Sequence, residues 1–161
     1  MQEHDVVAIG NAIVDIIGRC DDAYLAKHNC PKGSMSLVDN EKITAILPVK
    51  EFTETQYVFM ATAMGTVKKT PLADFSRPRP SGIIAVDLAD GDRLIGVALT
   101  DGQHDVMLFS SGGKAVRFDE NDVRPMGRNA HGVKGMSLDR GQKVIALLVA
   151  EDEDQSVLTA T

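Results

Sequence analysis

Short apolar runs, separated by segments that contain Gly, Asp and Asn, recur along the chain from about position 42 onward. They are too short for amphipathic helices and rich in β-branched residues, which is typical of strands. The runs are KITAIL (42–47), YVFMAT (57–62), GIIAVDL (82–88), LIGVALT (94–100), DVMLFS (105–110), KAVRF (114–118), GVKGMSL (132–138), KVIALLV (143–149) and SVLTAT (156–161). The pattern predicts a mainly β fold for residues 41–161.

The first 40 residues follow a different pattern. The run DVVAIGNAIVDII (5–17) predicts a strand, a turn at Gly10 and a second strand. The segment DDAYLAKHN (21–29) begins with acidic residues and ends with basic ones, the polarity that a short helix prefers. MSLVD (35–39) is a further candidate strand, so this part is predicted to be a short α/β segment.

An internal repeat runs through the β-rich part. Val58, Gly65 and Lys69 recur 48 positions later as Val106, Gly113 and Arg117, and Gly82, Leu88, Gly91 and Ile95 recur 50 positions later as Gly132, Leu138, Gly141 and Ile145. A repeat of this length is typical of one four-stranded blade in a propeller-like array. We therefore expect a partial array of about two four-stranded blades, with one leading strand before them and one trailing strand, SVLTAT, after them.

The net charge of −6 does not describe the β-rich part, because the acidic residues are unevenly distributed. Residues 1–40 contain six acids and three bases, and the tail 151–154 adds four acids, whereas residues 41–149 contain 13 acids and 14 bases. What matters for a polyanionic partner is therefore where the bases cluster.

The bases recur in two places of each repeat, on the strand after the first hairpin turn and in the long loop that follows. They are Lys68, Lys69, Arg77 and Arg79 in one repeat, and Lys114, Arg117, Arg124, Arg128 and Lys134 in the next. Blades arranged radially would place equivalent bases on one rim, which suits a phosphate backbone and does not read sequence. The alternative is that these are ordinary solvated surface charges. The lack of Trp disfavours binding of single strands by base stacking.

Other chemistry is poorly represented. Cys20 and Cys30 match no zinc or redox spacing and are interpreted as free thiols in a reducing compartment. Asp119, Glu120 and Asp122 crowd a loop with Arg117 and Arg124 and are interpreted as a solvated salt-bridge cluster instead of a metal site, and no cofactor is expected. No run reaches the roughly 18 apolar residues of a membrane span, and the N-terminus lacks the basic start of a signal peptide. A cytoplasmic protein is the default expectation.

The β-rich part resembles the C-terminal DNA-wrapping domain of the DNA gyrase A protein. The resemblance lies in FMATAMGTVKKT, FSRPRPSGIIAVDL, GDRLIGVALTDG, DVMLFSSGGKAVRF, VRPMGRNAHGVKGM and SVLTAT. It implies a β-pinwheel that wraps double-stranded DNA around a basic rim, with the nine bases named above on or near that rim. The family's Gln-Arg-Arg-Gly-Gly-like box is absent, and neither Tyr24 nor Tyr57 matches the catalytic tyrosine of the cleavage domain. The chain by itself is therefore not expected to be an enzyme.

Residues 1–39 resemble the N-terminus of a ribokinase-like sugar kinase of the adenosine kinase type. The resemblance lies in DVVAIGNAIVDIIGRCDDAYLAKHNCPKGSMSLVD and implies that Asn11 and Asp15 are vestiges of a sugar pocket. The later anion-hole motif of that family is absent. The chain is thus interpreted as a chimera, with a kinase-like segment over residues 1–40 and a partial pinwheel over residues 41–161.

Three functions follow as hypotheses. The first is a sequence-neutral module that binds duplex DNA, the second is a carbohydrate or nucleoside kinase fragment, and the third is a folded fragment without activity. The leading and trailing strands are expected to lack partners in a partial array, which favours self-association through open edges. The N-terminal strands are candidates to cover one of these edges.

Overall fold

The structure, a computed structural model, describes residues 4–10, 17–20, 43–78 and 83–150, together with positions 152, 155 and 157. The strands within these ranges are β1 His4–Gly10, β2 Ile17–Cys20, β3 Ile43–Val49, β4 Tyr57–Thr62, β5 Thr66–Pro71, β6 Leu94–Thr100, β7 Asp105–Ser110, β8 Ala115–Asp119, β9 Val133–Lys134 and β10 Val144–Ala150. Two 3₁₀ turns, Leu72–Phe75 and Glu120–Asp122, follow β5 and β8. The predicted mainly β class is confirmed.

Three antiparallel sheets, which we call the first, middle and last blades, follow one another along the chain. Their strand orders are β2-β1-β3, β6-β4-β5-β9 and β10-β7-β8. Each blade consists of a hairpin and one later strand that pairs with the hairpin's first strand. The middle blade has the expected four strands, and its fourth, β9, comes from the segment between the hairpin and the final strand of the last blade.

Most of the predicted strands match the structure. YVFMAT, LIGVALT and DVMLFS form strands with the predicted bounds, and KITAIL, KAVRF and KVIALLV form strands shifted by one or two residues. Two predictions were wrong. The described residues of GIIAVDL form no strand, and only Val133–Lys134 of GVKGMSL do so. Burial alternates from Ile83 to Val86 as in a strand, but the backbone there bonds to Ala130 and to a lysine side chain instead of to a ladder.

The leading strand is not without a partner, which corrects the expectation of an open edge there. β3 pairs along its length with β1, and β1 pairs with β2. The predicted helix 21–29, the candidate strand 35–39 and the residues immediately after Gly10 lie outside the described residues. So does the trailing strand, apart from Val157.

The middle blade lies between two hydrophobic clusters. Its central strands β4 and β5 are therefore buried on both faces, and every residue of β4 after Tyr57 is buried. The last blade shows strict alternation on β7 and β8, as expected for strands with one covered face. Close packing of the blades leaves no space for a side chain at Gly96, where a Cβ would stand 2.6 Å from Leu147 Cβ. Among the described residues, no helix is long and apolar enough to cross a membrane.

The two equivalent hairpin turns provide a matched test of this packing. Gly65 and Gly113 both have positive φ, +87° and +78°. A Cβ on Gly65 would stand 2.7 Å from Met136 O, whereas a Cβ on Gly113 would meet nothing within 4 Å. We expect Gly113→Ala to lower the free energy of unfolding by about 1–2 kcal/mol from the backbone conformation alone. Gly65→Ala should cost clearly more in urea denaturation, and equal losses would contradict the close approach of the Met136 backbone to this turn.

Candidate nucleic-acid interface

Residues 123–134, which we call the outer connector, run along the outer edge of the middle blade. The backbone N–H of Met126 donates to Lys69 O at 2.8 Å, and Pro125 forms an isolated bridge with Lys69. Further on, β9 within the connector pairs with Thr66 and Val67 of β5. Because this segment is anchored at both ends of β5, its side chains are held in a defined order along the edge.

Three bases occupy the outer connector. Arg124 and Lys134 are exposed, and Arg128 is half-buried. The Arg128 guanidinium donates through Nη1 to Ile84 O at 3.1 Å. A row of cationic side chains on one segment of the protein can contact successive DNA phosphates without contacting the nucleotide bases.

Lys68 lies inside the protein, with 1% of its surface exposed. Its Nζ donates to Ala85 O at 2.7 Å and also to the backbone oxygen of Arg128. Burial, together with the nearby Arg128 charge, lowers the pKa of Lys68 from 10.5 to about 8. This side chain therefore links the outer connector to residues 83–86.

Lys69 is equally buried and takes part in an ion pair. Its Nζ lies 3.0 Å from Glu120 Oε2 and donates to Asn121 Oδ1 at 3.0 Å. The ammonium also lies over the Tyr57 ring, 4.4 Å from the centroid. A buried charge is tolerated when it is fully paired, and Lys69 meets this condition.

The expectation that Lys68 and Lys69 lie on an exposed basic rim was wrong. In the sequence repeat, Lys69 is equivalent to Arg117 of the last blade. The Arg117 side chain is 45% exposed. The difference arises from position in the array, because β5 is covered by the outer connector and by a neighbouring blade. The two lysines hold in place the segment that carries exposed bases.

Glu120 lies in the 3₁₀ turn after β8 and accepts several hydrogen bonds. Its carboxylate accepts from Thr100 Oγ1 at 2.6 Å and from the backbone N–H groups of Gly102 and His104 at 2.9 and 3.1 Å. Burial alone raises the pKa of Glu120, but the hydrogen bonds from Thr100, Lys69 and His104 outweigh burial and hold this pKa below its usual 4.5. Glu120 is therefore an anion that braces the loop before β7 and the 3₁₀ turn after β8.

Asp101, His104 and Glu120 have ligand atoms within 4.8 Å of one another, a spacing that could hold a metal ion. His104 Nδ1 lies 2.9 Å from Asp101 Oδ1 and 3.8 Å from Glu120 Oε1. The oxygens of Glu120 already accept from several donors, including the Lys69 ammonium. This arrangement favours a structural role for the cluster over metal binding.

The remaining predicted bases differ in their surroundings. Arg77 is exposed on the segment after the first 3₁₀ turn. Lys114 is paired with Asp139 at 2.7 Å, and Arg117 is paired with Asp105, both at the surface. Exposed pairs of this kind are weak and leave the cation accessible. Arg79 lies outside the described residues, as do Asn11 and Asp15 of the kinase-like segment.

Sequence reasoning missed a second periodic pair of bases. Arg93 and Lys143 are 50 positions apart, are both exposed and directly precede β6 and β10. Their backbone oxygens accept equivalent bonds of 2.8 Å from Ala63 and Ser111, the residues that follow β4 and β7. The same repeat spacing that identified the other bases would have found them.

The comparisons with known proteins agree with the β-rich fold of blades. A family model described as the DNA gyrase C-terminal domain, a beta-propeller, matches residues 56–101 and 104–151. The DNA gyrase A protein of Klebsiella oxytoca is 60% identical over 127 residues, which cover 79% of this chain and 14% of that protein. The gyrase A protein of Escherichia coli K12 is 56% identical over the same share of each chain. The chain thus spans about one seventh of the length of these relatives.

Two solved structures share the fold. The C-terminal domain of DNA topoisomerase IV superposes with a TM-score of 0.76 at 24% identity, and covers 95% of this chain and 49% of its own. The DNA gyrase A C-terminal domain superposes with a TM-score of 0.71 at 24% identity, over 94% of this chain and 49% of its own. Both matches extend well beyond the residues of the family model.

The lowered pKa of Lys68 predicts a specific pH dependence of stability. Between about pH 8 and 10.5 the unfolded chain binds the Lys68 proton and the folded chain releases it, so stability rises with pH in this window. Across this pH window, the free energy of unfolding of the native chain should rise by about 3 kcal/mol more than that of Lys68→Met. Urea denaturation of both proteins from pH 7 to 10.5 measures the difference, and parallel curves would contradict a buried ammonium.

The Lys69–Glu120 pair should be costly to break from either side. Lys69→Met or Glu120→Gln leaves the other group buried without its charged partner, which costs about 3–5 kcal/mol. The double variant should lose less than the sum of the two single losses because it leaves no unpaired charge. Denaturant titration of all four proteins gives the coupling.

The surface pair of Lys114 and Asp139 supplies the control. Asp139→Asn removes a charge of the same sign as Glu120→Gln, but at a pair whose side chains are 52% and 63% exposed. Its loss should stay below about 1 kcal/mol. Similar losses at both pairs would mean that burial does not distinguish them.

Proposed function

The chain belongs to the family of DNA gyrase C-terminal domains with a β-propeller fold, and on this premise we propose that it is a sequence-neutral module that binds double-stranded DNA. The observation that carries the proposal is the outer connector, whose bases Arg124, Arg128 and Lys134 are held along one edge of the middle blade. The proposed contact set comprises these three bases and Arg77. Lys114, Arg117 and Arg79 extend it, whereas Lys68 and Lys69 are left out because they are buried.

Two features support binding to the phosphate backbone of DNA instead of to its nucleotide bases. The connector is fixed by main-chain bonds to β5, so its cations are positioned before any DNA arrives and little ordering entropy opposes binding. The connector also contains no Phe, Tyr or Trp that could stack on a base, and cations without such rings bind phosphate without selecting sequence. In the whole protein, duplex DNA that followed equivalent edges of successive blades would be bent, which supports the proposal of a wrapping module for DNA supercoiling.

Further proposals follow from the same premise. The chain acts without catalysis of its own, in the cytoplasm. We also propose that residues 1–39 derive from a ribokinase-like N-terminus joined near Asp39. A single uninterrupted genomic read that stops matching at Asp39 would identify the junction as an artefact of assembly.

DNA binding is tested by fluorescence anisotropy of a labelled duplex at several salt concentrations. The test variant is Arg124→Gln/Lys134→Gln, which removes two exposed cations from the outer connector. Arg128 is kept because its guanidinium also bonds to Ile84 O. Each phosphate contact contributes about 0.9 to the slope of log K against log salt, so the slope should become shallower by about 2.

The matched control is Arg93→Gln/Lys143→Gln. It removes the same charge from two exposed positions that lie at the blade turns and not on the outer connector. Its salt slope should stay close to that of the native chain. An equal change in both variants would indicate a diffuse electrostatic effect, and no binding at low salt would favour the alternative of a folded fragment without activity.

A further inference from the structure

The edge of β3 carries a hairpin that belongs to no repeat identified in the sequence. We propose that this edge is a strand-acceptor site for a blade hairpin, and that β1 and β2 of the same chain are its occupant. A segment of unrelated sequence thereby serves as the outer hairpin of a complete first blade. This strand pairing within the chain does not depend on DNA binding.

The first argument is the pairing register, which is the same in all three blades. Val7 pairs with Leu47 in the first blade, Phe59 with Ala98 in the middle blade, and Met107 with Leu148 in the last. The residues on either side continue this correspondence along the strands. Register is set by the backbone and the neighbouring turns, and a slip of one residue would place each side chain on the opposite face.

The second argument is a shared irregularity. In each blade the register shifts at the same place, near the start of the inner strand. The residue skipped by the pairing is Thr44 in β3, Ile95 in β6 and Ile145 in β10. One extra residue on one strand is a β-bulge, a feature that bends the strand and increases its twist. The N-terminal hairpin therefore matches β3 even at the position where the ladder departs from regular geometry.

The third argument is hairpin length. Asp5 pairs with Arg19, Tyr57 with Pro71, and Asp105 with Asp119. These paired positions are equivalent in register, and in every case 14 positions separate the partners. The N-terminal hairpin thus has the dimensions of the hairpins within the family match, 56–101 and 104–151, although it lies outside that match.

The surroundings of β3 explain why an occupant is needed. Ala45 and Val49 are 1% and 2% exposed and pack with Leu94 and Val97 of the middle blade. β3 is thus held in the core by its side chains, while its backbone still requires a partner along one edge. An unpaired edge next to a hydrophobic core attracts another strand, and the N-terminal hairpin meets this requirement within the chain. The competing occupant is the same hairpin of a second copy.

Disulfide trapping tests the register in the full chain. In a Cys20→Ser/Cys30→Ser background, the pairs Val7→Cys/Leu47→Cys and Ala8→Cys/Ile46→Cys are opposite each other. Neighbouring pairs alternate between close and wide spacing, so at least one should oxidise readily within the monomer. The control Val7→Cys/Ile46→Cys places the two thiols on opposite faces of the sheet and should not form the bond.

Mass spectrometry and non-reducing gels distinguish the outcomes. A monomeric disulfide in an opposed pair, and none in the control, supports the proposal. Trapping at equal rates in the control would overturn the register, no trapping in either opposed pair would overturn the pairing, and disulfide-linked dimers would assign the site to a second copy. None of these results depends on whether the chain binds DNA.

Hydrogen exchange on the unmodified chain gives an independent measurement. Amides of residues 45–47 and 49 in β3 should be protected to a degree similar to those of 96–98 and 100 in β6 and of 146–148 and 150 in β10, which hold the equivalent places. Exchange of residues 45–49 as fast as that of the segment 50–55, which forms no strand, would show that the edge has no stable occupant.

Discussion

The buried ion pair between Lys69 and Glu120 fixes the position of the outer connector, on which the candidate interface depends. Both side chains are almost completely removed from water, so each needs the other and its full set of hydrogen bonds. Lys69 comes from the hairpin of the middle blade and Glu120 from the 3₁₀ turn after the hairpin of the last blade. Their pairing ties the turn that leads into the outer connector to the hairpin of the middle blade, along which the connector runs. Lys68 adds a second attachment at Arg128 O.

Close packing of the blades separates two kinds of basic residue. A basic residue in β5 of the middle blade, such as Lys68 or Lys69, is enclosed on both faces and becomes part of the internal structure. A base in the connector or in a turn remains in contact with solvent and is available to a polyanion. The net charge of the chain therefore does not show how many of its basic residues are accessible, because accessibility depends on where each residue lies in the array.

The first blade shows that backbone geometry can be shared without shared sequence. Its hairpin repeats the register, the length and the bulge of the other two, although it lies outside the residues matched by the family model. Ladder hydrogen bonds are made by the backbone C=O group of every residue and by the N–H group of every residue except proline. An acceptor edge therefore selects the length of a hairpin and a suitable pattern of side chains more than the identity of its residues. The same tolerance makes an open edge a site for association between copies.

The sequence by itself determined the strands with strong apolar patterns, the repeat and the positive-φ turns at Gly65 and Gly113, because these depend on local periodicity and on the conformational freedom of glycine. It did not determine which bases are exposed. Lys69 and Arg117 occupy equivalent positions in the repeat, yet one is internal and the other is at the surface. The burial of Glu120 was likewise not determined by the sequence. Its backbone N–H donates to His104 O as that of Leu72 donates to Gln56 O, and the charged side chain is buried as completely as the leucine at the equivalent position. Only the tertiary structure decided which of these positions are buried. The burial of a repeated position depends on the blade or connector that packs over it, and that segment lies elsewhere in the sequence.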